Sequence, residues 1–183
     1  MSLRRIGHKG ADLIAPGNTY ASFDAALEAG VDMIEFDVLQ ERSSDRLLLA
    51  HDYEDAASRS PVTFEEGLAY LRDEQFEGIE FDVDLKLPGY EQPVLDALRA
   101  FELLDRALIS TQYASSLAAI REGRCNALMA HWRLASGCLV EAVADAGGEL
   151  YVWTVDDLAT RGALEALGVT GVVTNDPRLF AQL

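Results

Sequence analysis

Glu35 and Asp37 stand two residues apart in Met33–Leu39, a run that reads as a β-strand, so both carboxylates leave the same face. Two acids turned inward at that spacing repel each other unless a cation sits between them. A hard divalent ion with oxygen ligands, Mg²⁺ or Ca²⁺, suits the pair; a solvated acidic strand face is the alternative. Asp84 and Lys86 repeat the spacing in Ile79–Leu87, behind Glu80 and Asp82. Asp84 offers a third carboxylate and Lys86 a cation for a phosphate oxygen, or the two form an internal ion pair.

His8 ends the run Arg4–His8, within Gly7-His8-Lys9-Gly10, where the glycines allow a tight turn and close ligand approach. His51 ends Leu47–Ala50 and precedes Asp52, which can orient the imidazole. Two histidines at strand ends suit a general acid and a general base, although each taken singly is more often a structural histidine than a catalyst. His131 has no motif around it and reads as structural. Trp153 lies near a strand end, as an apolar wall for a ligand or as core. No G-x-S-x-G elbow, phosphate-binding Walker loop, H-E-x-x-H or dinucleotide fingerprint is present.

The elements that must position these groups alternate along the chain. Strand runs at Arg4–His8, Met33–Leu39, Ile79–Leu87, Ala107–Thr111, Ala127–Trp132, Leu150–Val155 and Gly171–Thr174 are followed by helical segments. The helices are expected at Tyr20–Ala29, from the T-x-x-E box at Thr63 to Leu71, and at Tyr90–Phe101, Ser115–Arg121, Leu139–Ala146, Leu158–Leu167 and Arg178–Leu183. Such alternation implies a parallel sheet with helices outside it. In Ile79–Leu87 the odd positions are apolar and the even ones charged, and Ile34, Phe36 and Val38 alternate with Glu35 and Asp37. A central strand of an open doubly wound sheet reads as nearly continuous apolar residues, whereas one charged face fits a barrel strand lining a polar mouth. The fold class is therefore α/β, a (β/α) TIM-type barrel formed by one domain over 1–183. Seven units are legible where eight are usual. Either one is lost or degenerate, or Leu47–Ala50 helps close the ring. Ile-Glu-Phe-Asp-Val occurs twice, at 34–38 and 79–83.

At 183 residues, with 49% hydrophobic and 25% charged residues, the composition is globular. The 31 acidic against 15 basic residues give a formal charge of −16, which argues against nucleic-acid partners. Cys125 and Cys138 are too few for a disulfide framework. No apolar run reaches signal-peptide or membrane-span length, so a cytoplasmic protein without stable membrane insertion is expected.

The chain resembles the glycerophosphodiester phosphodiesterase family. The resemblance runs through His8-Lys9-Gly10, Pro16-Gly17-Asn18-Thr19, Ser22-Phe23, Glu35-Phe36-Asp37-Val38, His51-Asp52, Asp84-Leu85-Lys86, Trp153-Thr154-Val155 and Gly171–Pro177. It implies metal-dependent hydrolysis of small glycerophosphodiesters to glycerol 3-phosphate and an alcohol. His8 and His51 would be the acid–base pair, and Glu35, Asp37 and Asp84 would hold Mg²⁺ or Ca²⁺. Lys9, Lys86 and Trp153 would face the phosphate and substrate. Family chemistry has the substrate's own glycerol hydroxyl attack phosphorus, followed by hydrolysis of a cyclic intermediate. Lys9 stands where the family has Arg, a point charge in place of a bidentate clamp. Gly17 replaces an acid, Asp84 is shorter than the family's Glu, and the segment from His51 to Thr63 lacks the usual insertion, which predicts an open mouth. Lysophospholipids or other phosphodiesters on the same site, or metal or phosphate binding without catalysis, are the competing expectations.

Overall fold

The computed structural model describes residues 3–120 and 127–181. The expected helix ends at Arg121 and Leu183, and Cys125, lie outside them. Seven parallel strands form the sheet: β1 (Arg4–Gly7), β2 (Met33–Gln40), β4 (Glu80–Leu85), β5 (Ala107–Thr111), β6 (Ala127–His131), β7 (Glu149–Trp153) and β8 (Gly171–Thr174). Their lateral order is β5-β4-β2-β1-β8-β7-β6, a nearly closed barrel. Among the described residues no ladder joins β5 to β6. The remaining strand, β3 (Leu47–Leu49), runs antiparallel on β2, pairing Leu49 with Val38 and Leu47 with Gln40.

Leu47–Ala50 therefore does not close the ring, contrary to one of the two expectations. The turn from Glu41 to Arg46 is far shorter than the dozen or more residues of a parallel crossover, so the chain folds back as a hairpin. Glu41 N–H closes that turn on the Arg46 carbonyl at 2.9 Å.

The helices are α1 (Tyr20–Glu28), α2 (Tyr53–Ser58), α3 (Phe64–Leu71), α4 (Glu91–Ala100), α5 (Ala114–Ala119), α6 (Gly137–Asp145) and α7 (Leu158–Leu167). A short 3₁₀ turn, Pro177–Phe180, stands where a last helix was expected. Proline at its first position and a four-residue span suit one turn. Thr63 opens α3 with the anticipated capping box. Helix α2 was not anticipated; Asp52 caps it by accepting the Glu54 and Asp55 N–H groups. Among the described residues no helix is long and apolar enough to cross a membrane.

The two faces of β2 and β4 divide as their alternation predicts. Phe36, Phe81 and Val83 point outward and are buried against Phe23 of α1 and Phe64 and Leu68 of α3. Phe36 lies 5.8 Å from Phe23 and 6.4 Å from Phe64, centroid to centroid. The inward face is layered. At the N-terminal end Arg4 donates to Glu80 at 2.6 Å and to the Tyr151 hydroxyl at 3.2 Å. An apolar floor of Ile6, Met33, Tyr151 and Val173 follows, and above it stand the acids. The repeated pentapeptides lie on adjacent strands slid by two residues, so Ile34 pairs with Phe81, Glu35 with Asp82 and Asp37 with Asp84. That slide sends Glu80 to the floor and the other four carboxylates toward the mouth.

Candidate active site

The C-terminal ends of the strands form a cavity of about 480 Å³ lined by His8, Glu35, His51, Asp84, Lys86 and Trp153 among others. In a barrel this is the end where loops from several strands meet. Asp37 and Glu35 project from β2, Asp84 from β4, Lys86 just beyond it, and His8 and His51 follow β1 and β3. One oxygen each from Glu35, Asp37 and Asp84 lies within 4.8 Å of the others. Three convergent carboxylates at that spacing fit a hard divalent ion.

Asp37 is fully buried and tightly held. Its Oδ2 accepts from Asn18 Nδ2 at 2.8 Å, and its N–H donates to Asn18 Oδ1 at 3.0 Å. Lys86 Nζ lies 2.6 Å from Asp37 Oδ1 and 2.6 Å from Asp84 Oδ2. Burial works to raise the Asp37 pKa, but Lys86 and Asn18 together hold it below the ordinary range. Burial also works against the Lys86 charge, and Asp37 and Asp84 more than offset it. Glu35 is pushed well up by burial and then by Asp37, Asp82 and Asp84, although its Oε2 accepts the Lys9 N–H at 2.7 Å. Asp84 is raised, chiefly by burial. A site whose acids resist ionisation beside one another is electrostatically prepared for a cation.

His8 Nδ1 is 2.5 Å from Asn175 Oδ1. Asn175 Nδ2 donates to Asp156 Oδ2 at 2.7 Å, which fixes its carbonyl oxygen toward the ring. Hydrogen bonding therefore assigns the proton to His8 Nδ1 and leaves Nε2, 3.8 Å from Glu35 Oε2, to face the cavity. Burial lowers the His8 pKa, with Asn175 opposing. His51 Nδ1 meets Asp52 Oδ2 at 3.1 Å, and its backbone N–H donates to Asp55 Oδ2 at 3.0 Å. Arg59 grips Asp55 with two bonds of 2.8 Å and donates to the Leu49 carbonyl, tying α2 back to the hairpin.

Lys9 reaches the cavity through its backbone. Its ammonium, 3.9 Å from Asp12 Oδ2, lines an adjoining depression of about 450 Å³ with Gly17, His51 and Arg59. Gly17 donates its N–H to Asp12 Oδ1 at 2.8 Å, and a Cβ there would lie 2.6 Å from that oxygen. Trp153 is part of the cavity wall, and His131 meets its ring edge-on at 5.3 Å. Sequence reasoning missed the supporting groups Asn18, Asn175 and Asp156. Asn18 and Asn175 lie inside motifs of the resemblance, but nothing local said what they grip.

The model of the glycerophosphoryl diester phosphodiesterase family matches residues 8–59 and 93–179. The chain belongs to this family. It is therefore a phosphodiesterase. The matched stretches hold His8, His51, Glu35, Asp37 and Trp153, whereas β4 with Asp84, and Lys86 just after it, lie between them. A glycerophosphodiester phosphodiesterase from Caldanaerobacter subterraneus subsp. tengcongensis is 25% identical over 235 aligned positions, covering 97% of this chain and 96% of that protein. The alignment is longer than the chain, so that phosphodiesterase carries internal segments absent here. A glycerophosphoryl diester phosphodiesterase structure from Agrobacterium tumefaciens superposes with a TM-score of 0.82 at 17% identity, covering 98% of this chain and 97% of that one. An Oleispira antarctica phosphodiesterase in complex with sn-glycerol-3-phosphate gives 0.78 at 18%, covering 96% and 94%. Both share the barrel fold.

Proposed function

We propose that this phosphodiesterase hydrolyses glycerophosphodiesters to glycerol 3-phosphate and an alcohol, using a divalent cation held by Glu35, Asp37 and Asp84. The observation that carries this reading is the convergence of His8, His51 and the three carboxylates on one barrel mouth. The product found in the Oleispira protein supports the choice of substrate.

A bound divalent cation supplies Lewis-acid charge to a phosphoryl oxygen. The chain's own groups do the rest. Both histidines have Nδ1 engaged by an acceptor, so each exchanges protons through Nε2. Burial keeps His8 neutral, and its Nε2 takes the proton of the glycerol 2-hydroxyl as that oxygen bonds to phosphorus. His51 gives a proton to the leaving oxygen as its bond to phosphorus breaks. Water then opens the cyclic phosphate with the two roles exchanged, and the product is glycerol 3-phosphate. Lys86 holds positive charge beside the phosphate throughout. Trp153 forms the wall on the far side of the cavity.

Lysophospholipids are a second reading favoured by one feature. Trp153 on the cavity wall is 42% exposed, and Leu134, in the 3₁₀ turn that follows β6, the strand beside Trp153's own, is 66% exposed, which gives that part of the rim an apolar character. The test is glycerol 3-phosphate release from a panel of glycerophosphodiesters, with lysophosphatidylcholine alongside, in Mg²⁺, Ca²⁺ or chelator. Release that needs metal and falls about 10³-fold or more in both His8→Ala and His51→Ala is expected. Release that survives either substitution or chelation refutes the mechanism. Faster turnover of the lysolipid transfers the assignment to the second reading.

A further inference from the structure

Parallel pairing sets Glu35 beside Asp82 and Asp37 beside Asp84, so four carboxylates face the interior in two tiers. Successive inward positions on a strand are about 6.6 Å apart. The upper tier has Lys86 between its two carboxylates. The lower tier has no lysine or arginine partner among the described residues: Glu35 accepts the Lys9 N–H and faces His8 Nε2 at 3.8 Å, and Arg4, on the floor beneath, is engaged by Glu80 and Tyr151. Asp82 is completely buried, neither of its oxygens makes a hydrogen bond of good geometry, the Ser110 side chain alone being placed to offer one, and its side chain lines the cavity together with Glu35 and Ser110. A buried carboxylate so placed either keeps its proton or meets a cation, since burial of charge is compensated by neutralisation, pairing, hydrogen bonds or metal.

We propose that Asp82 and Glu35 bind a second divalent cation beneath the first, with Glu35 bridging the two ions and the Ser110 hydroxyl as a neutral ligand. This rests on the reading of Glu35, Asp37 and Asp84 as the upper metal site. Charge supports two ions. Four carboxylates and Lys86 leave three negative charges, one divalent ion leaves one, and a second turns the site positive by one, which a phosphodiester monoanion balances. Ions that share a bridging carboxylate and act on one phosphoryl group lie about 3.5–4 Å apart.

Mn²⁺ alone is the probe, titrated into the intact protein and followed by electron paramagnetic resonance. At concentrations that leave surface carboxylates vacant, two Mn²⁺ per chain with a spin-coupled spectrum are expected. Asp82→Asn should bind one Mn²⁺ with the spectrum of an isolated ion, and Glu35→Gln should weaken both sites at least tenfold. A single uncoupled Mn²⁺ at saturation of the wild-type protein, or two retained by Asp82→Asn, overturns the proposal. Should Asp82→Asn fail to fold, the wild-type spectrum decides alone. The outcome is separable from the proposed reaction: one ion with turnover refutes only the second site, and two ions without turnover refute only the reaction.

Discussion

Asn18 and Asp37 clasp each other through two hydrogen bonds, one to the Asp37 carboxylate and one from its backbone N–H, and both residues are almost wholly buried. Asn18 adopts φ 58°, a left-handed conformation that Asn tolerates better than most residues. The loop after β1 is thereby locked to the strand that carries two of the acids. Asn18→Ala leaves a buried carboxylate oxygen and a backbone donor without partners. It should cost about 2–3 kcal/mol in urea unfolding and lower kcat/KM by about 10–100-fold. An unchanged unfolding midpoint would contradict the clasp.

The Asp156–Asn175–His8 chain makes a different prediction, because it fixes a tautomer and not a loop. Asn175→Ala should lower kcat by about 10–100-fold while KM stays within about twofold, since the ring remains present but turns freely. Asp156→Ala should reproduce the effect in weaker form. A loss confined to KM would show that Asn175 serves binding instead.

The alternation of Glu35 and Asp37 with Phe36, and of Asp82 and Asp84 with Val83, made the barrel and its acidic interior legible, because a strand's two faces are written directly in its sequence. His8 and His51 were legible as strand-end residues for the same reason. Register between strands was not: nothing local says that the two pentapeptides slide by two residues, and so the lower acid tier was hidden. Asp52 was read as a partner for His51, yet its other oxygen also caps α2, a helix too short for periodicity to reveal. Asn18, Asn175 and Asp156 act across tens of residues, and such pairings exist only once the barrel has formed.

Asp82 sets a pH dependence in chelated protein. Burial raises its pKa from 3.8 to about 7, with Ser110 and Lys86 opposing. Below about pH 4 folded and unfolded chains both hold this proton; between 4 and 7 only the folded chain does, so the unfolded state binds fewer protons and stability falls as pH rises. Asp82→Asn should remove that slope. With chelator the variant should match wild type near pH 4 and exceed it at pH 8 by up to about 4 kcal/mol. Equal stability at pH 8 would mean that the carboxylate is solvated or paired.

Gly7 and Gly78 form a matched pair of glycine tests. A Cβ on Gly7 would lie 2.2 Å from the Gly10 carbonyl oxygen, a backbone atom that cannot swing aside. Gly7→Ala should cost about 3 kcal/mol or more. Gly78, at φ 83° with open space around it, should lose only about 1 kcal/mol to alanine, from backbone strain. Similar losses at the two positions, measured by thermal unfolding, would refute the steric argument.

The seam between β5 and β6, unpaired among the described residues, lies three strands away from β1 on either side of the ring. His8, the hairpin bearing His51, and every clustered acid sit on or just after β1, β2, β3 and β4, while the strands at the seam turn Leu108 and Met129 inward and contribute, of polar groups near the acids, Ser110. Reactive groups and wall are thus separated along the chain as well as around the circle. Such a division of labour makes the far arc the part of the molecule where an added strand–helix unit would enlarge the vessel with least disturbance to the clustered acids and the two histidines.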